Sequence, residues 1–250
     1  MLKRIALVVV AAVGVFVLVL AAEVVLALRR EFLPTEPAYQ IEGTFGPVDG
    51  EPLRFVVLGD STAAGLGASD PSLSYAALLS EMLGDDGYRV SMTGVGFSGA
   101  TVSDVLEEQV DAALALNPDL VFVGIGANDA THLTSLYSFG KDIGATYDKL
   151  QAGGATVVGS GIPDMRAKAF YEPLRSIVGW RGRELSDVVV SEADPRGIPV
   201  VPLAERTAAF FVDDPEAAYA SDLFHPGDGG YAAWARAIYP VLIDALRSRG

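Results

Sequence analysis

A serine follows one of the most apolar segments of the chain, at a place where it could act as a nucleophile. Gly59-Asp60-Ser61 comes directly after the apolar run 55–58, so the hydroxyl lies where a predicted buried strand ends. In open parallel α/β sheets, ligands bind just outside the carboxyl ends of the strands. A nucleophilic serine also needs a base, an orienting acid and an oxyanion site. Alone, the motif is more typical of an ordinary strand-ending turn than of a catalytic one.

Three further segments carry residues that could supply those partners. A glycine-rich stretch, 94–101, follows the second predicted strand, and Gly-Ala-Asn-Asp, with Asn128 as its third residue, follows the third. Parallel strands bring such loops to the same edge of a sheet, and glycines let backbone amides approach a ligand closely. Asp222 and His225, three residues apart before the last predicted helix, can pair a carboxylate with one imidazole nitrogen and leave the other free. Taken singly, each segment also fits tight-turn chemistry or a locally hydrogen-bonded histidine.

Together, the four segments resemble the SGNH hydrolase family, also called GDSL esterases and lipases. The residues that give that family its name match Ser61, Gly99, Asn128 and His225, in the family's order. The resemblance extends over residues 53–247. Two departures stand beside the matches: Gly94 occupies a position where the family often has an asparagine, and the third block reads Gly-Ala-Asn-Asp rather than Gly-Gly-Asn-Asp.

The resemblance implies a serine esterase or lipase that works through an acyl-enzyme. Ser61 would attack the ester carbonyl, His225 would transfer the proton, and Asp222 would orient the imidazole. The oxyanion hole would consist of the Ser61 and Gly99 backbone N–H groups and the Asn128 side-chain amide. Two alternatives stay open: an acyltransferase with the same triad, and a membrane-anchored binding module without turnover.

Composition narrows the remaining possibilities. The chain has no cysteine, only His132 and His225 as histidines, and no recognisable metal or nucleotide motif, so we expect no cofactor and no metal. A formal net charge of −14 repels phosphate backbones and argues against nucleic acid as a partner. The expected partner is a small-molecule, lipid or carbohydrate ester, and the protein is expected to be monomeric.

The N-terminus is apolar enough to reach across a bilayer. Residues 5–22 carry no charge, and basic pairs flank the apolar segment at Lys3-Arg4 and Arg29-Arg30. This length favours a retained signal anchor over a cleaved signal peptide, whose apolar region is usually shorter. We therefore expect a membrane-anchored protein with an extracytoplasmic catalytic domain, or a secreted one if the segment is cleaved. The basic residues on both sides leave the orientation open.

Periodicity predicts the organisation of the rest of the chain. We expect a signal anchor over 1–30, a Pro/Gly-rich extended linker over 31–52, and a hydrolase domain over 53–250. Strand-like runs alternate with helical ones, which predicts a flavodoxin-like three-layer α/β/α sandwich with a five-stranded parallel sheet. The expected strands are 55–58, 88–92, 120–125, 156–158 and 199–202. The expected helices are 75–83, 102–116, 139–150, a less well bounded one within 175–191, and 230–247.

Other residues near these motifs have less specific interpretations. Asp60 and Asp129 are expected to bond loop amides, as aspartates commonly do in turns. His132 is expected to have a loop or helix-end role. Three aromatic residues before the fifth strand could line an acyl pocket, although core packing is the more common use of such side chains; they are Phe170, Tyr171 and Trp180.

Overall fold

Six strands form one mixed sheet in the computed structural model, which describes residues 1–248. The strands are β1 (Glu42–Phe45), β2 (Glu51–Gly59), β3 (Tyr88–Gly94), β4 (Leu120–Gly124), β5 (Thr156–Ser160) and β6 (Val200–Val201). Their order is β1-β3-β2-β4-β5-β6, and every adjacent pair is parallel except β1 with β3. The five parallel strands correspond to the five predicted ones, and their order is that of a flavodoxin-like sheet.

The sixth strand lies in a segment that the sequence suggested was an extended linker. Within 31–52, β1 pairs antiparallel with the outer edge of β3, and β2 already begins at Glu51. β1 has only four residues, and their side chains are exposed or half-buried. Such a strand carries little apolar signal, because it is held by backbone pairing to an existing sheet edge rather than by burial.

Ten α-helical segments accompany the sheet within the described residues. They are α1 (Leu2–Leu28), α2 (Tyr75–Asp85), α3 (Val102–Asp104), α4 (Val110–Ala115), α5 (Ala127–His132), α6 (Leu136–Ala152), α7 (Leu174–Ala193), α8 (Leu203–Asp213), α9 (Pro215–Ala218) and α10 (Asp228–Arg247). A π-helical turn, Val105–Gln109, joins α3 to α4, so the predicted helix over 102–116 is one irregular helix.

The sheet is buried on both faces, as parallel sheets generally are. Along β2, Phe55 and Val57 face a cluster formed with α2 and α10, whereas Val56 and Leu58 face a second cluster formed with the α3–α4 helix, α6 and α7. This alternation explains why β2 reads as a continuous apolar run. β2 lies near the centre of the sheet, between β3 and β4.

The central position of β2 determines where a site can form. The chain leaves β2 toward β3 on one side and later returns to β4 on the other, so the order of strands reverses between β2 and β4. A crevice opens at such a switch point, outside the carboxyl ends of the two strands. Ser61 follows β2 and Asn128 follows β4, so both border this crevice.

Candidate active site

The turn after β2 is held by hydrogen bonds that do not involve the Ser61 side chain. The Asp60 carboxylate accepts bonds from the Thr62 N–H and hydroxyl, both 2.9 Å long. Gly59 at the strand end is bonded through its N–H and its carbonyl to the side-chain amide of Gln109, at 2.9 and 2.8 Å. A Cβ at Gly59 would collide with the backbone oxygen of Gly124, which explains the glycine at this position.

Ser61, His225 and Asp222 form a continuous chain of hydrogen bonds. The Ser61 Oγ lies 3.1 Å from Nε2 of His225, and Nδ1 of the same ring lies 2.6 Å from Oδ2 of Asp222. All three residues are buried. An ionised carboxylate can only accept, so Nδ1 carries the proton and Nε2 is left to accept from the serine hydroxyl. This arrangement has the geometry of a nucleophile, a base and an orienting acid.

The charge of Asp222 is stabilised by its surroundings. Burial by itself would raise the pKa of this carboxyl, but the bond from the His225 ring and the backbone N–H groups of Phe224 and His225 outweigh it and hold the pKa at about 2. Asp60 differs, because burial is the largest influence there and raises the pKa of its carboxyl. The surroundings of Asp222, the partner of His225, thus lower the pKa of its carboxyl, whereas those of Asp60, next to Ser61, raise it.

The loops after β3 and β4 border the serine turn. A Cβ at Gly96 would lie 2.6 Å from Cβ of Ala63, so the loop after β3 packs directly on the serine turn. Gly99 in this loop has a φ of +87°, a conformation that favours glycine for backbone reasons alone. The Asn128 side-chain amide donates one hydrogen bond to the carbonyl of Ala100, at 2.9 Å, which fixes its orientation and leaves a second N–H.

A small cavity opens beside the serine. Its volume is about 50 Å³, and Ser61, Asn128 and His225 all contribute to its wall. The rest of the wall is mainly apolar and aromatic, with contributions from Met165, Ala167, Phe211, Tyr219, Phe224 and Trp234. An apolar cavity next to a nucleophile and a hydrogen-bond donor can hold the acyl part of an ester.

The structure gives the other candidate residues varied positions. Asp129 accepts a hydrogen bond from the backbone N–H of Val102, the first residue of α3, at 3.1 Å, rather than from a loop amide. His132 is exposed at the last residue of α5. Phe170 is buried and packs edge-to-face on Phe224, but Tyr171 and Trp180 are exposed and line neither the core nor the cavity.

Two contacts at the site involve residues that the sequence analysis did not select. Gln109 is buried in the π-helical turn. The sequence feature that could have identified it is its polar side chain on the apolar face of the predicted helix. Arg30 donates hydrogen bonds to the backbone carbonyl of Asp222, the shorter at 2.9 Å, and the Leu33 N–H approaches Oδ2 of Asp222 at 3.4 Å. No local pattern in the sequence indicates that the segment after α1 reaches the triad.

No metal centre is suggested by the side chains of residues 1–248, where no group of three or more His, Asp or Glu is arranged to hold an ion.

Comparison with known proteins agrees with this geometry. Residues 57–233 match the model of the GDSL-like lipase/acylhydrolase family, a stretch that contains the serine turn, both loops and the Asp222–His225 pair. The chain belongs to this family. The expected SGNH relationship is thus confirmed, and at the level of the family it supports ester hydrolysis as the class of reaction.

Individual relatives extend the similarity beyond the core motifs. A GDSL-like esterase of Mycobacterium tuberculosis is 30% identical over 201 residues, which is 79% of this chain and 64% of the relative. The chain therefore spans less than two thirds of that relative's length. The crystal structure of TesA is 26% identical, covers 77% of this chain and 99% of its own, and superposes with a TM-score of 0.64.

A lipase/acylhydrolase from Enterococcus faecalis shares the fold at lower identity. It is 21% identical, with 75% of this chain and 94% of that chain covered and a TM-score of 0.63. In both structural comparisons nearly the whole neighbour is matched, and about a quarter of this GDSL hydrolase chain lies outside the shared fold.

Proposed function

We propose that the protein is a carboxylic ester hydrolase that works through an acyl-enzyme on Ser61. The observation that supports this most strongly is the continuous hydrogen-bond chain from the Ser61 hydroxyl through His225 to Asp222. Family membership independently favours ester hydrolysis.

Acylation would begin when Ser61 Oγ attacks the ester carbonyl carbon. Nε2 of His225 accepts the hydroxyl proton as the bond forms, and the ionised Asp222 stabilises the resulting imidazolium. Collapse of the tetrahedral intermediate breaks the bond to the leaving alcohol, which receives the proton from Nε2. Water then attacks the acyl-enzyme with the same base, releases the carboxylic acid and restores the serine.

Negative charge on the carbonyl oxygen would be met by three uncharged donors. They are the backbone N–H groups of Ser61 and Gly99 and the second N–H of the Asn128 amide. Within residues 1–248, neither backbone N–H donates a hydrogen bond, so both are available to a substrate oxygen. Donors that are already oriented stabilise the transition state without a cost of rearrangement.

The cavity favours a short acyl group. A volume of about 50 Å³ is about a third of the ~150 Å³ of an engineered apolar cavity that binds benzene. An acetyl group or a chain slightly longer fits this space, whereas a long acyl chain requires the wall to move. The alcohol part of the ester would lie outside the cavity, where the site opens to the surface.

The N-terminal helix would attach the enzyme to a membrane. α1 is the one helix among the described residues that is long and apolar enough to cross a bilayer, with a mean hydropathy of 3.2 over its most apolar stretch, and none of that stretch is buried. We propose that it is a retained signal anchor and that residues 31–250 lie on the extracytoplasmic side.

The proposal is tested with the full-length protein in detergent and a series of p-nitrophenyl esters from acetate to palmitate. We expect hydrolysis that is fastest for the shortest chains and that falls steeply with acyl length. Ser61→Ala should lose roughly 10⁴–10⁶-fold in kcat, by analogy with other serine hydrolases. Ser98→Ala, in the neighbouring loop, is the matched control and should retain activity. Absence of hydrolysis at every acyl length would overturn the proposal.

A further inference from the structure

The end of α1 is packed against the catalytic domain rather than separated from it by a tether. Glu23 interrupts the apolar run and is only 8% exposed, and its carboxylate accepts a hydrogen bond from the backbone N–H of Leu174 at 2.9 Å. Leu174 is the first residue of α7, whose N-cap, Pro173, provides no side-chain cap. Glu23 therefore caps α7 from another element, where a carboxylate also interacts favourably with the helix dipole.

A second set of contacts continues this attachment beyond the helix. Ala27, one turn after Glu23, packs against the core cluster on the α7 side of the sheet. Arg30 then bonds the carbonyls of Asp222 and Ala169, and the ring of Phe32 packs edge-to-face on Phe224 at 5.3 Å. The segment 23–33 is thus fixed to the domain at the edge of the sheet that carries the active site.

The length of α1 determines the level of this attachment relative to a bilayer. Residues 5–22 carry no charge, and 18 residues of α-helix rise about 27 Å, close to the thickness of a hydrocarbon core. With residues 5–22 placed in the hydrocarbon, Glu23 is the first charged residue beyond it, at headgroup depth. The domain surface that surrounds its contact must lie at the same depth.

That surface has the composition of a membrane interface. Around the α1 contacts lie exposed apolar and basic side chains, with the acidic Glu31 and Glu172 among them. We call the apolar and basic group the juxtamembrane edge: Arg29, Phe32, Lys168, Tyr171 and Leu223. Tyr171 is 60% exposed, three residues from the N–H that Glu23 caps. Tyrosine and basic residues are enriched at headgroup level, where an apolar body and a polar or charged end are both accommodated.

We propose that the juxtamembrane edge rests on the lipid headgroups, so that the active site opens at the membrane surface. The occupant of this surface is the bilayer that holds α1, since the edge is continuous with the helix that would enter it. The inference rests on the proposed membrane attachment of α1 and is independent of ester hydrolysis.

The active site is in direct contact with this edge. Phe224 links the two, because its ring packs on Phe32 on one side and on the His225 ring, at 5.0 Å, on the other. Leu223, an exposed member of the edge, is two residues from His225. An ester carried by a membrane-resident amphiphile would therefore reach Ser61 without leaving the bilayer surface entirely.

The inference can be tested with single-cysteine variants, because the chain has no native cysteine. The full-length protein is reconstituted in vesicles of phosphatidylcholine and phosphatidylglycerol, with an NBD fluorophore at one position and doxyl-phosphatidylcholine as quencher. Val13→Cys, in the middle of α1, reports insertion, and Tyr171→Cys reports the juxtamembrane edge. Val48→Cys is the control, since Val48 is 88% exposed in the turn before β2, at the opposite edge of the sheet.

We expect quenching at positions 13 and 171 and none at position 48. Quenching at 13 without quenching at 171 would overturn the inference while leaving the membrane attachment intact. No quenching at 13 would overturn the attachment and the inference together, and it would leave the esterase proposal untouched. Equal quenching at positions 171 and 48 would also contradict the inference, because the juxtamembrane edge would then not be the face of the domain that lies toward the lipid.

Discussion

Asp222 is the residue on which the hydrogen bonds of the site converge. Its carboxylate accepts from the His225 ring and from the backbone N–H groups of Leu33, Phe224 and His225, and its own carbonyl accepts from Arg30. These bonds hold the carboxyl ionised, with a pKa of about 2. The residue thus has two roles, since it orients the imidazole and fixes the loop that carries it.

The depressed pKa of Asp222 predicts a pH-dependent contribution to stability. Because the folded-state pKa is below that of the unfolded chain, the ionised carboxylate stabilises the fold above about pH 4, and this contribution is lost as the pH falls toward about 2. We expect Asp222→Asn to lower the Tm near neutral pH and the difference from the wild type to shrink over that acidic range. Thermal unfolding across pH measures this, with Asp213→Asn, an exposed carboxylate, as control. A difference that is constant with pH would contradict it.

Asn128 provides a sharper test of the oxyanion site than any backbone donor, because it can be changed by mutation. Asn128→Ala should lower kcat for p-nitrophenyl acetate by about 10²–10³-fold with little change in KM, since the donor acts mainly in the transition state. The control is Asn117→Gly, which changes the other asparagine in an exposed turn and should leave kcat unaltered. An effect confined to KM would place Asn128 in substrate binding instead.

Among the elements, the helix between β3 and β4 has a feature that regular periodicity does not predict. Its π-helical turn ends at Gln109, whose amide makes two hydrogen bonds to the backbone of Gly59, two residues before the serine. π-turns are frequent at functional sites because the extra residue redirects a side chain. Here the redirected side chain supports the strand end from which the serine turn begins.

Removing the Gln109 amide should therefore affect both stability and catalysis. Gln109→Leu leaves the buried N–H and carbonyl of Gly59 unpaired, and we expect a loss of about 1–3 kcal/mol in the free energy of unfolding. Urea unfolding measures the loss, and kcat should fall as the serine turn loosens. Gln40→Leu, at an exposed glutamine, serves as the matched control. If Gln109→Leu leaves the free energy of unfolding and kcat unchanged, the hydrogen bonds between Gln109 and Gly59 contribute to neither.

Capping of α7 by Glu23 predicts a second effect at the level of elements. Glu23→Ala removes the partner of the Leu174 N–H, and the loss of a helix cap typically costs about 0.5–2 kcal/mol. We expect a lower Tm for the full-length protein in detergent, whereas Glu31→Ala, an exposed acid just beyond the helix, should have no effect. An unchanged Tm for Glu23→Ala would mean that α1 is not held at α7.

The sequence predicted the five parallel strands and most of the long helices, whereas β1 and the helices α5, α8 and α9 were not predicted. The five parallel strands were predictable because their residues are apolar on both faces, as in β2. β1 and the Glu23 cap were not, because each depends on backbone groups that lie far away in the chain. At the site, Ser61 was selected by its position at a strand end, and Asp222 and His225 by their spacing before the last helix; the structure brings their side chains together. Gln109 and Arg30 form hydrogen bonds to backbone atoms of distant residues, and such contacts produce no characteristic spacing in the sequence.

At the scale of the whole molecule, one edge of the sheet carries both the candidate catalytic groups and the attachment of the apolar helix. An acidic protein with a net charge of −14 would be repelled by anionic lipids unless a local surface differs. The juxtamembrane edge is such a surface, with Arg29 and Lys168 exposed beside Phe32 and Tyr171. The proposed orientation therefore places these basic and aromatic side chains nearest the membrane.

The central claim is that Ser61 is the nucleophile, and covalent labelling tests it most directly. The full-length protein is treated with a fluorophosphonate, digested and analysed by mass spectrometry. We predict one adduct, on Ser61, which forms at a rate that falls sharply in His225→Ala and is absent in Ser61→Ala. An adduct on another serine, or ester hydrolysis that persists in Ser61→Ala, would contradict the proposed mechanism.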